Sequence, residues 1–104
     1  MTNLENLTKE IIKFRQQRGW TKGKAIACKN MAIALLLEAA EFLEVFGWTK
    51  DNGPPENRRE DLQDELIDVL YWVLIIAHDL NINIEKAFRR KMKKNKKKYP
   101  VKKK

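Results

Sequence analysis

Four carboxylate side chains occur as two pairs with the same spacing. Glu38 and Glu41 are three residues apart, and so are Glu65 and Asp68. Residues three apart lie on one face of an α-helix, so each pair presents its two carboxylates from one side. If two such helices pack with these sides facing, four acidic groups meet. Their mutual repulsion and lost hydration raise their pKa values unless a cation lies among them.

The chemistry of the ligands selects the cation. Carboxylate oxygens are hard ligands that suit Mg²⁺, especially where the phosphates of a substrate supply further oxygens. No His or Cys accompanies the two pairs, which argues against zinc. The sequence therefore predicts a Mg²⁺ site, with Mn²⁺ as the alternative ion. The predicted ligands are Glu38, Glu41, Glu65 and Asp68.

Exposed surface acids are the competing interpretation of the same residues. Such acids on amphipathic helices commonly pair with Lys or Arg and bind no metal. Two pairs at one spacing, both in segments without a clear polar face, favour the metal site. Other catalytic chemistry lacks support, because His78 lies near a predicted helix end without partners. The chain also has no Ser or Cys nucleophile motif and no Gly-rich phosphate loop.

Apolar periodicity and turn residues divide the chain into four helices. Gly19 and Gly47 end the first two, and Pro55 lies at the start of the third. Asn83 is placed to cap the fourth, which Pro100 ends. No segment alternates for long as a strand does, so the predicted fold class is all-α. The predicted helices span about 3–18, 30–46, 56–80 and 84–97.

The second and third predicted helices are apolar on nearly every side. A helix of this kind needs neighbours all round, and a lone chain of 104 residues has too few to offer. Two or more chains that pool these helices provide the missing neighbours. We therefore expect a helical bundle shared between subunits, in a homodimer or a homotetramer.

Charge is divided unevenly along the chain. Residues 89–104 hold 11 of the 22 Lys and Arg and no acid, whereas residues 1–88 hold the other 11 and all 14 acids, a net charge of −3. Such a basic segment attracts phosphate on nucleotides, nucleic acids or lipid headgroups. A nucleic-acid-binding helical protein acting through this Lys-rich end is therefore an alternative function, although it leaves the four carboxylates unexplained.

The length predicts a single domain over residues 1–100, followed by a basic tail at 101–104. The N-terminus lacks the basic-then-apolar pattern of a signal peptide, and the longest apolar run, at 69–77, is too short to cross a bilayer. Cys28 is the single cysteine, which allows no internal disulfide and fits a reducing compartment. We expect a cytoplasmic protein without a membrane partner.

The carboxylate pairs belong to a longer ordered set of motifs. Glu38-Ala39-Ala40-Glu41 reads ExxE, and Glu65-Leu66-Ile67-Asp68 reads ExxD after an intervening loop. Together they resemble the hallmark of the MazG-like nucleoside triphosphate pyrophosphohydrolases, including the dCTP pyrophosphatase branch of the all-α NTP pyrophosphatases. The resemblance covers about 18–101. Its matching segments are RGW at 18–20, KNMA at 29–32, EAAEFLEVFGW at 38–48, DELIDVLYW at 64–72 and KMKKNKKKYPV at 91–101.

This resemblance implies Mg²⁺-dependent hydrolysis of a nucleoside triphosphate, with a deoxynucleotide as the expected substrate, to the monophosphate and pyrophosphate. It implies that the four carboxylates hold the metal, and we expect Glu41 also to orient the attacking water. Core packing is the alternative role for the two substrate-site tryptophans, and helix capping is the alternative for Asn30. The expected substrate-binding residues are Asn30, Trp48, Trp72, Lys91, Lys94, Asn95, Lys98 and Tyr99.

One loop departs from the dCTP pyrophosphatase branch. Those relatives have a Phe-His and a Pro between the Trp and the Asn of this loop, whereas WTKGKAIACKN at 20–30 has neither His nor Pro. Any base or sugar contact that the His supplies is missing here. A preference for dCTP therefore does not carry over to this chain.

Overall fold

The described part of this computed structural model is entirely helical. It comprises residues 3–20, 28–47, 53 and 55–102. The all-α class and the four predicted helices are confirmed. The elements are α1 (Asn3–Gln17), α2 (Cys28–Val45), a 3₁₀ turn (Glu56–Arg58), α3 (Arg59–Asp79) and α4 (Ile84–Lys98).

Helix ends follow the turn chemistry of the sequence, with two differences at helix starts. Gly19 and Gly47 adopt φ of +72° and +69° just beyond α1 and α2, a conformation that costs glycine little. The Asn83 side chain accepts a hydrogen bond of 3.0 Å from the Lys86 backbone N–H and so caps α4 as predicted. The differences are that α2 begins at Cys28, not near residue 30, and that a 3₁₀ turn precedes α3.

Helix α3 is the central element, since both α2 and α1 pack against it. The buried apolar core is small for a chain of this size. Among the described residues it consists of Met31 and Val45 from α2 with Leu74, Ile75 and Ala77 from α3. Burial of a large apolar side chain stabilises the fold by about 1.5–3 kcal/mol. These few buried residues therefore stabilise the packing of α2 on α3, and they contribute little to the packing of the other helices.

A buried ion pair fixes α1 to the end of α3. Two Arg15 guanidinium nitrogens donate to the two Asp79 carboxylate oxygens at 3.3 and 3.2 Å, and the two side chains are 10% and 6% exposed. Bidentate geometry of this kind suits burial, because it satisfies both charges with hydrogen bonds. The pair joins residues 64 positions apart and sets how α1 lies against α3.

We expect Arg15→Met to destabilise the protein by about 3–5 kcal/mol, because it breaks a buried, bidentate ion pair by removing one of the two charged side chains. Urea unfolding at fixed protein concentration measures the change. The matched control is Arg89→Met, which removes an exposed pair with Glu85 at 3.2 Å and should cost less than about 1 kcal/mol. Equal losses in the two variants would contradict a stabilising role for the buried pair.

Helix α4 leaves the body of the molecule at a steep angle. Its axis turns by 103° from the segment Glu56–Asp79, and Asn81 in the connecting turn has φ of +56°. Among the described elements, α4 has no neighbour packed as closely as α2 and α1 are on α3. Large side chains consequently stay exposed, with Phe88 on α4 at 63% and Tyr99 just after its end at 68%.

The isolated chain is more open than a monomer of its size. Its radius of gyration is 17.0 Å, against about 13 Å for a compact domain of this length. Its accessible surface is 9181 Å², against about 6,100 Å² for a folded monomer of this mass. The excess, about 3,000 Å², is at least as large as the area that one subunit typically buries in an obligate interface.

No single described helix is long and apolar enough to cross a bilayer, although Glu56–Asp79 and Ile84–Lys98, taken together as a bent pair, meet the length and composition requirement.

Candidate metal centre

Three carboxylates converge where α2 packs against α3. One oxygen each from Glu38, Glu65 and Asp68 lies within 4.8 Å of the others. Glu38 and Glu65 are half-buried, and Asp68 is exposed at the edge of the group. The periodicity of the two helices explains the meeting, because each pair of acids follows a single helix face and the two faces pack together.

This proximity shifts the titration of the acids. The pKa of Glu38 is raised from 4.5 to about 7, first because burial penalises its charged form, then through a hydrogen bond with the Glu41 carboxyl and repulsion from the other acids. The pKa of Glu65 is also raised, again first by burial and next by the charges of Glu41 and Asp68. The cluster without a cation therefore favours bound protons.

Two carboxylate oxygens in the cluster have unmet bonding capacity. Oε2 of Glu38 and Oε2 of Glu65 are buried and accept no hydrogen bond within the described part of the chain. The Arg15–Asp79, Arg58–Asp61 and Arg89–Glu85 ion pairs of the described residues all lie outside the cluster, so none of these three neutralises it. Hard oxygen ligands with unused lone pairs fit a divalent cation such as Mg²⁺.

Glu41 lies beside the three convergent acids and not among them. It is exposed, and its oxygens fall outside the group that meets within 4.8 Å. Its carboxyl is nevertheless close enough to hydrogen-bond with Glu38 and to raise the pKa of Glu65. An exposed carboxylate next to a candidate metal centre is in a position to contact water.

A row of aromatic side chains extends from the cluster towards α1. Trp72 follows Asp68 by one helical turn and is half-buried, with its ring centroid 5.3 Å from that of Tyr71 in an edge-on contact. Tyr71 in turn meets Phe14 at 6.4 Å, and Phe14 meets Trp20 at 5.8 Å. Because Trp72 is only partly buried, its position is compatible with both expected roles, packing in the core and stacking on a base. Trp48 lies outside the described residues.

Asn30 is exposed and occupies the third position of α2. It therefore does not cap that helix, because the helix begins two residues earlier at Cys28.

The lysine stripe, defined as Lys91, Lys94, Asn95 and Lys98, runs along α4. Its three lysines are exposed, and Asn95 is half-buried with its amide nitrogen 4.0 Å from the Met92 sulfur. The Lys98 ammonium lies 5.4 Å from the ring centroid of Tyr99, within the range of a cation–π contact. The stripe thus forms a basic edge that continues onto an exposed aromatic ring.

The carboxylates and the lysine stripe are far apart within one chain. Asp68 precedes the end of α3 at Asp79 by eleven residues, or about 17 Å of helix. The axis of α4 then makes a bend of 103° with the axis of the segment Glu56–Asp79. The structure therefore brings the acids together but does not bring the lysines to them within this chain.

Comparison with known proteins identifies the family. Residues 33–104 match the model of the MazG-like family. The chain belongs to the MazG-like family. Mouse dCTP pyrophosphatase 1 is 31% identical to this MazG-like chain over 103 residues, with 94% of the chain and 59% of the relative covered. Human dCTP pyrophosphatase 1 is 30% identical, with the same coverage. The MazG-like chain thus spans about three-fifths of the length of these curated relatives.

A solved structure resembles the MazG-like chain over nearly its whole length. It is the crystal structure of a pyrophosphatase from Archaeoglobus fulgidus, 35% identical, with a TM-score of 0.86 and coverage of 97% of this chain and 95% of that one. The resemblance inferred from the motifs is therefore confirmed at the level of family and fold.

Two features of this MazG-like chain were missed by the sequence reasoning. The Arg15–Asp79 pair was not predicted, although Arg15 follows Ile11 by one turn and so shares its helix face. The contact of Phe14 with Tyr71 was not predicted either, because aromatic pairs between distant helices have no local sequence signal. Both features place α1 against the part of α3 that follows the cluster.

The raised pKa of Glu38 predicts how the stability of the metal-free protein depends on pH. Between about 4.5 and about 7 the folded chain holds a proton that the unfolded chain releases, so the free energy of unfolding should fall as pH rises through this window. Thermal unfolding in EDTA measures the decline, and Glu38→Gln should make it shallower. Superimposable pH profiles for the wild type and Glu38→Gln would contradict this assignment.

Proposed function

We propose that this chain hydrolyses a nucleoside triphosphate to the nucleoside monophosphate and pyrophosphate, with divalent metal held by its carboxylates. The main support is the meeting of Glu38, Glu65 and Asp68 within 4.8 Å, with two buried oxygens that lack a partner among the described residues. The names of the relatives, dCTP pyrophosphatase 1 and a pyrophosphatase, point to the same class of reaction.

The proposed roles follow from position and chemistry. Glu38, Glu65 and Asp68 are the core metal ligands, and Glu41 completes the set at the edge. Mg²⁺, or Mn²⁺ as the alternative, supplies charge neutralisation at the phosphate oxygens and activation of water. Glu41 accepts a hydrogen bond from the attacking water and orients it, a role that its exposed carboxylate beside Glu38 supports.

The substrate is proposed to be a deoxynucleoside triphosphate. Trp72, one turn beyond Asp68, and Trp48 are proposed to stack on the base, and Asn30 to contact the nucleotide. The dCTP specificity for which the relatives are named is not transferred, because the loop at 20–30 lacks the His and Pro of that branch. The triphosphate is proposed to contact Lys91, Lys94, Asn95, Lys98 and Tyr99.

Assembly into a homodimer or homotetramer is part of the proposal. Its support is the large exposed surface of the isolated chain, 9181 Å², and the apolar side chains that remain on it, such as Leu36 at 67% exposure. We expect multi-angle light scattering at micromolar concentration to give at least twice the chain mass of 12.3 kDa. A monomer under these conditions would contradict the shared bundle.

We further expect a cytoplasmic location.

Nucleic-acid binding through the basic end remains the second candidate. The exposed lysines of α4 favour it, and steeply salt-dependent binding would be its signature. It gives no role to the carboxylate cluster, so it ranks below hydrolysis.

A substrate panel tests the proposed function. The chain is incubated with each of the four dNTPs and four NTPs in Mg²⁺, and pyrophosphate release is followed. We expect release from at least one nucleotide and a preference for deoxyribose over ribose. Salt-sensitive DNA or RNA binding without pyrophosphate release from any nucleotide would favour the second candidate instead.

A further inference from the structure

The side of α3 that carries the acids continues beyond them to the end of the helix. Glu65, Asp68, Trp72 and Asp79 follow one another at intervals of three, four and seven residues, which places them along one side of α3. Asp79 lies about 10 Å beyond Trp72 along the helix axis. The buried ion pair of Asp79 with Arg15 therefore lies on the same side of α3 as the candidate metal centre.

Arg15 also organises the end of α1 and the residues that follow it. Its backbone carbonyl accepts hydrogen bonds from the N–H groups of Arg18 at 3.1 Å and Trp20 at 2.8 Å. The Arg18 guanidinium in turn lies 3.6 Å from the ring centroid of Phe14 and donates to the Phe14 carbonyl at 3.2 Å. The ion pair with Asp79 consequently fixes this whole end of α1 to α3.

Phe14 connects the end of α1 to the aromatic pair on α3. Its ring meets Tyr71 edge-on at 81°, and Tyr71 meets Trp72 edge-on at 86°. Burial raises the pKa of the Tyr71 hydroxyl, and the nearby charges of Arg15 and Arg18 act against that rise. Because aromatic pairs prefer particular relative orientations, a displacement of Phe14 changes where Tyr71 and Trp72 rest.

The acidic cluster is built without α1. Glu38 belongs to α2, whereas Glu65 and Asp68 belong to α3. The pKa values of Glu38 and Glu65 are raised by burial and by the neighbouring acids. A change in how α1 lies against α3 should therefore alter the aromatic side of the candidate site and leave the metal ligands in place.

We propose that Arg15, Asp79 and Phe14 are positioning residues that hold the Tyr71–Trp72 pair in the orientation that receives the base of the nucleotide. This inference rests on the proposed function and deepens it, because it assigns α1 a part in substrate binding. The ion pair sets the place of α1, and the Phe14 ring passes that placement to Tyr71 by direct contact.

Two variants test the inference through the kinetics of the preferred nucleotide. Phe14→Leu keeps the ion pair and an apolar side chain but removes the ring that meets Tyr71. Arg15→Met removes the ion pair and is assayed at a temperature where circular dichroism shows it folded. Each should raise KM by at least about fivefold, the effect of losing a weak base–aromatic stacking contact. Each should leave kcat within about twofold of the wild-type value, because the affected contact is not specific to the transition state.

Two further readouts separate positioning from general loosening of the fold. The Mg²⁺ concentration that gives half the maximal rate, measured at saturating nucleotide, should not change in either variant. Arg15→Lys should give a KM between those of the wild type and Arg15→Met, since lysine keeps the charge but lacks the bidentate geometry.

Arg89→Met is the matched control, because it removes an exposed ion pair on α4 and should leave KM unchanged. A merely structural role predicts a smaller folded fraction, which lowers the apparent kcat at unchanged KM. That result, a wild-type KM in Phe14→Leu, or an equal loss of Mg²⁺ affinity would overturn the inference with hydrolysis still established. A wild type that releases no pyrophosphate from any nucleotide would overturn the proposed function and this inference with it.

Discussion

Replacing Glu38 by Gln, or Asp68 by Asn, should lower kcat by at least about 100-fold at saturating Mg²⁺. Mutation of a residue that only hydrogen-bonds to a metal ligand lowers activity by up to about 100-fold, and removal of the ligand itself should lower it at least as much. The substitutions keep the shape of the side chain and remove its charge. Both residues lie where three carboxylates meet within 4.8 Å, so each is expected to contact the ion directly. Steady-state pyrophosphate release measures the effect.

The same variants should keep or gain stability without metal. Removal of one charge relieves the repulsion that, together with burial, raises the pKa of Glu38 to about 7. Glu44→Gln is the matched control, because Glu44 continues the three-residue spacing of Glu38 and Glu41 yet is exposed and lies outside the convergent group. Wild-type activity in Glu38→Gln with Mg²⁺ saturating would refute the metal assignment.

Replacing Lys94 and Lys98 together by Ala should weaken substrate binding by about 1–3 kcal/mol for each lost charged contact, which corresponds to roughly 5–150-fold per contact in KM or kcat/KM. Both lysines are exposed on α4 and belong to the lysine stripe. Deletion of residues 102–104 should change these constants by less than about twofold, since charges beyond a specific contact are screened by salt.

The comparison of these two variants distinguishes the candidate functions. Both are measured at one ionic strength, with circular dichroism as a check on folding. A nucleic-acid binder uses its lysines nearly interchangeably, because phosphate contacts along a duplex add up by charge count. Equal losses from the stripe variant and the deletion would therefore reject a specific role for Lys94 and Lys98 on a triphosphate.

Features set by local sequence were predicted successfully. Asn83 caps α4 through its own side chain, and Gly19 and Gly47 follow their helices in the positive-φ conformation. The convergence of Glu38 and Glu65 also followed from local information, because the three-residue spacing of each acidic pair puts its carboxylates on one helix face. Apolar periodicity likewise predicted the number of helices and the class of the fold.

Features that depend on tertiary geometry were not predicted from the sequence. The steep departure of α4 depends on the turn at Asn81, where a positive φ redirects the chain, and hydrophobic periodicity contains no such angle. Membership of Glu41 in the acidic site was predicted from spacing alone. In the structure its oxygens lie beside the other three acids and outside the group that meets within 4.8 Å, because its place depends on how α2 is rotated against α3, which the spacing does not contain.

The balance of products most directly tests the central claim that an acidic metal site in this chain hydrolyses nucleoside triphosphates. The preferred nucleotide from the panel is incubated with the wild type in Mg²⁺ and in EDTA, and monophosphate, diphosphate, pyrophosphate and phosphate are separated chromatographically. The account predicts equal amounts of monophosphate and pyrophosphate in Mg²⁺ and no turnover in EDTA. Turnover that persists in EDTA, or products that are diphosphate and phosphate, would contradict it.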